Sequence, residues 1–139
     1  MMKVSIVPRE HLDTCWLKVE PLLKKATDRT AGRWTTTDLR EAILTDASNL
    51  WVVFDKDIVA AATTRFVDYP NRRMLVLDHL GGDDLGEWFS SFLSMMDKWA
   101  LANKCDGIET YARHGWAKLA VFHGWDRPYS VFEKDLRSK

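Results

Sequence analysis

The sequence has no excess of charge of either sign. Twenty Lys and Arg offset twenty Asp and Glu, and the pI is near 6.9. That removes the electrostatic basis for a dedicated nucleic-acid or membrane-surface binder. The short basic groups Lys24–Lys25 and Arg72–Arg73 read as solvated faces. No apolar run approaches the ~20 residues that span a bilayer, and the opening MMKVSIVPRE lacks a signal-peptide core. Cysteine is scarce: Cys15 and Cys105 lie far apart, outside any Cys-x-x-Cys or Cys/His pattern, and are expected as buried reduced thiols in the cytoplasm. His11, His79, His114 and His123 have no ligand spacing, so no metal is expected.

What is present describes a globular chain. With 139 residues, 46% hydrophobic and 29% charged, it is long enough for one domain over 1–139 with a proper core. KVSIVP (3–8) alternates like a short strand that Pro8 ends. Leu12, Cys15, Trp16, Val19, Leu22, Leu23 and Ala26 then recur at helical spacing. Pro21, inside that stripe, is expected to kink or split the helix. After the polar stretch TDRTAGRW, a second helix starts at TTTDLREAIL. Thr37 or Asp38 is its expected cap, Glu41 completes a capping box, and Leu39, Ala42 and Ile43 form the buried side.

Three strand-like runs follow: 50–55, 57–69 and 73–80, joined by turns at Lys56 and YPNR. They predict an antiparallel meander. From Leu85 to residue 104 runs the longest helical stripe: Leu85, Trp88, Phe89, Phe92, Met96, Trp99 and Ala100. Its aromatics and Met are expected to pack on the sheet as core. GIETYA (107–112) reads as a strand, 115–125 as a short helix and 129–136 as a last strand. Of the seven tryptophans, Trp34 and Trp51 fit no helix stripe, and serve either as core or as exposed interface anchors.

The order strand–helix–helix–strand–strand–strand–helix–strand–helix–strand resembles the GNAT superfamily of acyl-CoA-dependent N-acetyltransferases over nearly the whole chain. More closely, Gly81, Gly82, Trp88, Trp99, Ala100, Cys105, Arg113, Gly115, Trp116 and Gly124 form a skeleton similar to small GNAT-like proteins of tailed phages. The resemblance implies an α/β (α+β) fold: a mixed, mostly antiparallel sheet with helices on both faces. It implies acetyl transfer to a small-molecule or protein amine. The alternative is an inactive GNAT-like protein that binds a phage or host partner, in the host cytoplasm or on the virion.

The resemblance also places the chemistry. Acyl-CoA would lie where strands 73–80 and 107–112 splay apart, its diphosphate on the loop after the first of them. That makes Leu80, Gly81, Gly82, Leu85 and Gly86 the cofactor-binding candidates. The family's loop has a cationic or amide residue where this chain has Asp83, and a small one where it has Trp88. Two carboxylates repel a diphosphate, and an indole in the first turn would occlude backbone N–H groups, so acetyl-CoA is expected to bind weakly. The favoured reading of the loop itself is a Gly81–Gly82 turn with Asp83 or Asp84 capping the helix. Ala120 stands where the family carries its acidic tyrosine. Asp78, His79, Glu109 and Tyr111 are the catalytic candidates, with Asp78 and His79 on opposite faces by strand alternation. His79 is the first choice for base by its ordinary pKa. Arg113 and His114 are expected to orient substrate.

Overall fold

In the computed structural model, which describes residues 2–112 and 124–137, five strands form one sheet in the order β1-β2-β3-β4-β5. β1 (Lys3–Val7), β2 (Asn49–Phe54), β3 (Ile58–Asp68) and β4 (Arg73–Gly82) are antiparallel neighbours. β5 (Gly107–Thr110) returns parallel to β4 after a helical crossover, as parallel neighbours require. Helix α3 (Leu85–Ala102) covers one face; α1 (Leu12–Thr27) and α2 (Thr36–Leu44) cover the other. The expected fold class is therefore found. No helix among the described residues is long and apolar enough to cross a membrane.

Covering both faces explains why Leu50-Trp51-Val52-Val53 is apolar throughout, where a half-exposed strand would alternate. Trp51 and Val53 meet Trp88, Phe92, Leu93 and Met96 of α3. Leu50 and Val52 meet Leu12, Val19, Leu23, Leu39 and Ile43 on the opposite side. Phe92 packs edge-on between Trp51 and Trp88, with ring centroids 5.9 and 6.0 Å away. Trp51 is thus core, not an interface anchor, and its Nε1 donates to Thr64 Oγ1 at 2.9 Å. Cys105 is buried, whereas Cys15 is only half-buried.

Pro21 neither splits nor ends α1. The helix runs unbroken from Leu12 to Thr27 because the proline lies on its solvent side, where water can serve the carbonyl that loses its partner. The α2 cap lies two residues before Thr37 and three before Asp38, the expected caps. Thr35, in extended conformation, accepts from Asp38 N while the Asp38 side chain accepts from Thr35 N, a reciprocal capping box.

Residues 129–136 do not form the expected strand; 124–137 carry no regular structure. Alternation there gives Tyr129, Val131, Glu133 and Asp135 on one side and Ser130, Phe132, Lys134 and Leu136 on the other. Neither row is an apolar face that could fix the segment to a sheet. Trp125 still packs against the α3-side core, and Glu133 pairs with Arg33 at 2.6 Å. The helix expected at 115–125, including Ala120, falls almost entirely outside the described residues.

Candidate functional site

The site begins with an irregularity in β4. Thr63 pairs with His79 and Thr64 with Leu77, so Asp78 is an extra residue, a β-bulge. Thr63 and Arg65 lie two apart on β3 and share a face. Asp78 Oδ2 accepts from Arg65 Nε at 2.7 Å, and His79 Nδ1 lies 2.9 Å from Thr63 Oγ1. The bulge therefore turns Asp78 and His79 to the same face, that of α1 and α2, and not to opposite faces as regular alternation predicts.

Beside the bulge the sheet opens. β5 pairs with β4 only from Met74–Gly107 to Leu77–Thr110. There Thr110 Oγ1 donates to the Leu77 carbonyl at 2.8 Å, and β5 stops two residues short of the strand expected at 107–112. β4 continues to Gly82, held on its other side by β3. From Asp78 onward no described strand lies against its β5 side. Among the described residues the result is a wedge walled by a strand edge without a β5-side partner.

A polar cluster stands at the mouth of this wedge. Val76, fully buried, pairs with Arg65 on one side and Glu109 on the other. Arg65 holds Asp78, whose side chain is 6% exposed. Burial pushes the Asp78 carboxyl up, Arg65 opposes that shift, and Glu109 adds to it. Glu109 Oε2 accepts from Tyr69 Oη at 3.1 Å and from Tyr111 Oη at 3.0 Å. The bond to Glu109 raises the Tyr69 phenol; burial and then Glu109 raise that of Tyr111. Asp78, Glu109 and Tyr111 are thus brought together as candidates. Arg65 and Tyr69 were missed. A charged residue inside the apolar run AAATTRFV is a signal that a partner must exist, whereas Tyr69, at a hairpin turn, gives none.

His79 sits deeper. It is 3% exposed, with the Trp34 ring edge-on at 5.4 Å. Burial, with the charge of Arg65, lowers its pKa to about 4. It is neutral at pH 7, but its affinity for a proton is much weaker than an ordinary imidazole's. Arg113 and His114 lie outside the described residues.

The loop after β4 differs from the expected turn. Gly81 and Gly82 belong to the strand, paired with Ala61 and Ala60, and Asp83 N extends the ladder to Val59 O at 3.0 Å. Gly81 is required by packing: a Cβ there would lie 1.9 Å from the Leu22 carbonyl oxygen of α1. Neither aspartate side chain caps α3. Asp84 holds the N-cap position in left-handed conformation without a side-chain bond, and the Asp83 carboxylate faces Lys25 Nζ at 3.4 Å. Trp88 does not cover the helix N-terminus. Its ring is buried in the core and its Nε1 donates to the Asp83 carbonyl at 2.6 Å. Gly86 is different: a Cβ there would meet nothing within 4 Å, so packing does not require glycine. Leu80 and Leu85 are half-buried against the α3-side core.

The sequence matches no protein-family model and none of the curated proteins. Solved structures are similar over nearly the full chain. A ribosomal-protein-alanine N-acetyltransferase from Brucella melitensis biovar Abortus 2308 has TM-score 0.74 at 12% identity, covering 99% of this chain and 100% of that one. A predicted acetyltransferase with acetyl-CoA from Clostridium acetobutylicum has TM-score 0.68 at 14% identity, covering 98% and 97%. An aminoglycoside acetyltransferase from an uncultured soil metagenomic sample, in complex with sisomicin, has TM-score 0.70 at 10% identity, covering 98% and 97%. The chain has the fold of the GNAT acetyltransferases.

Proposed function

We propose that the protein transfers an acetyl group from acetyl-CoA to an amine at the opening between β4 and β5. The observation that carries this reading is the end of pairing at Leu77 and Thr110, which among the described residues leaves the β4 edge without a partner strand beside Glu109 and Asp78. A strand edge suits an extended, amide-bearing arm such as pantetheine, because it offers both donors and acceptors along its length. Gly86, with free space over its Cα, fits close approach of a phosphate to the start of α3. Asp83, Asp84 and Glu87 weaken that end of the site, and Lys25 is the cation beside it.

Acetyl-CoA, when bound, supplies an activated thioester carbonyl. The chain has to place an amine beside it and remove the amine's proton. Glu109 is the base in this reading, acting through a water, since it stands at the mouth while His79 is buried with a lowered proton affinity. Tyr69 and Tyr111 fix its carboxylate, and Arg65 with Asp78 fixes the strand behind it. With Ala120 in the position of the family's acid, the thiolate leaves without a tyrosine, as a thiol of ordinary pKa near 8.5 allows at modest cost in rate.

The test is amine-dependent release of CoA thiol across a panel of amines. Transfer should be measurable, and Glu109→Gln should lower kcat by ~100-fold or more. No release with any amine at saturating acetyl-CoA, or full rate in Glu109→Gln, would contradict the reading. The acidic loop favours a second reading, in which the fold, of the small phage type, serves as a binding protein in the host cytoplasm or on the virion. Absence of acetyl-CoA binding at millimolar concentration would select it.

A further inference from the structure

The segment 124–137 has no regular structure, yet it meets the rest of the protein at separate points. Trp125 packs against the core on the α3 side of the sheet. The Tyr129 phenol lies close enough to Tyr69 to raise its proton affinity, and Tyr69 is one of the two phenols bonded to Glu109. Glu133 Oε1 then meets Arg33 Nη2 at 2.6 Å on the α1–α2 loop, and Ala31 of that loop lines one groove with residues 133–137. The segment therefore passes from one face of the sheet to the other across the mouth of the wedge. Between Tyr129 and Glu133 it covers at most about 14 Å, so the crossing is short.

The two sides of the last contact differ in firmness. Arg33 is well placed: its Nη1 donates to the Thr30 carbonyl at 3.2 Å, and Trp34 N donates to Thr30 Oγ1 at 3.1 Å. The Trp34 ring rests edge-on against His79, in the strand that walls the wedge. The crossing itself is loose. Val131 and Phe132 are 63% and 93% exposed, so these apolar side chains do not anchor it. Both members of the Arg33–Glu133 pair are half-exposed, and such pairs are weak. A fixed anchor joined to a weak, exposed contact is what a reversible closure needs.

We propose that residues 125–133 form a strap over the α1–α2 side of the wedge mouth, latched by the Arg33–Glu133 pair and released when that pair opens. High salt, or an anion that competes for Arg33, opens it. The latch stands without any acetyl transfer; that its opening admits the acceptor rests on the proposed function.

The experiment uses the full chain without acyl donor. Heteronuclear amide NOE values at residues 131–134 report fast motion of the strap. Relaxation of the Tyr69, Thr110 and Tyr111 amides by a neutral gadolinium chelate reports access to the mouth. Arg33→Ala and Glu133→Gln, both at half-exposed positions, should each lower the NOE values and increase mouth access about two- to fivefold. About 0.5 M sodium chloride should act on the wild type in the same direction. The charge swap, Arg33→Glu with Glu133→Arg, should restore both readings. Equal readings in the wild type and both single variants, a swap that restores neither, or a freed strap with unchanged mouth access would overturn the proposal. A strap that opens in a protein without acetyl transfer would overturn the proposed function alone. Transfer with the KM for amine and the mouth access unchanged in both variants would overturn the strap alone.

Discussion

Asp78 and His79 are consecutive in sequence, yet both project onto the α1–α2 face of the sheet, Asp78 to Arg65 and His79 to Thr63. The bulge that does this also coincides with the end of β4–β5 pairing. One local irregularity thus turns a carboxylate toward the mouth and lets the next strand depart. The wedge and its polar cluster have a common origin.

The core is expected to depend on Phe92, which is fully buried between Trp51 and Trp88. Phe92→Ala should cost about 3–5 kcal/mol, read from urea unfolding monitored by tryptophan fluorescence. A loss below about 1 kcal/mol would mean that α3 does not pack as described.

Two glycines should respond in opposite ways. Gly81→Ala would place its Cβ 1.9 Å from a backbone oxygen of α1, which cannot move without shifting the helix. A loss of about 3 kcal/mol or more is expected. Gly86→Ala meets open space and should leave stability unchanged or raise it by up to about 1 kcal/mol. The same methyl should weaken acetyl-CoA binding, because it occupies the approach to the helix N-terminus. Thermal unfolding and calorimetry on the two variants check both statements.

His79 makes folding stability depend on pH. Its folded pKa, about 4, lies below the ordinary 6.5. Below 6.5 the unfolded chain takes up a proton that the folded chain refuses, so stability is full above that value and falls as pH drops toward 4. The loss approaches about 3 kcal/mol at the acid end. Asp78, whose carboxyl is raised, acts in the opposite sense, so the comparison needed is wild type against His79→Gln. The variant should show a shallower fall in its urea midpoint between pH 6.5 and 4.

The same residues show what could and could not be read from sequence. The α3 stripe was legible because large apolar residues at a 3.6-residue period have one way to bury together; Trp88, Phe92 and Met96 do so. Asp78, Glu109 and Tyr111 were legible as candidates because the element order put them where strands splay. The bulge was not, since it is set by pairing with β3 and not by any residue type. Gly81–Gly82 looked like a turn because the reason for Gly81, contact with Leu22, comes from a helix about sixty residues away. Aspartates before a helix suggested a cap, but Asp83 extends the β3–β4 ladder and turns its carboxylate to Lys25.

Charge at the loop should limit cofactor affinity. Asp83→Asn with Asp84→Asn removes two carboxylates and releases Lys25 from its pair. Acetyl-CoA binding should tighten roughly tenfold at low salt and less at high salt, measured by calorimetry. Affinity that does not change would place the diphosphate away from α3.

The central claim is that an acyl donor enters the wedge opened beyond Leu77 and Thr110. Amide hydrogen exchange along β4, measured with and without acetyl-CoA, tests it most directly. Exchange at Leu80 and Gly82, whose N–H groups point away from β3, should slow when acetyl-CoA is added, while His79 and Gly81, whose N–H groups face β3, stay as they were. Unchanged exchange at Leu80 and Gly82 under saturating acetyl-CoA would contradict the account.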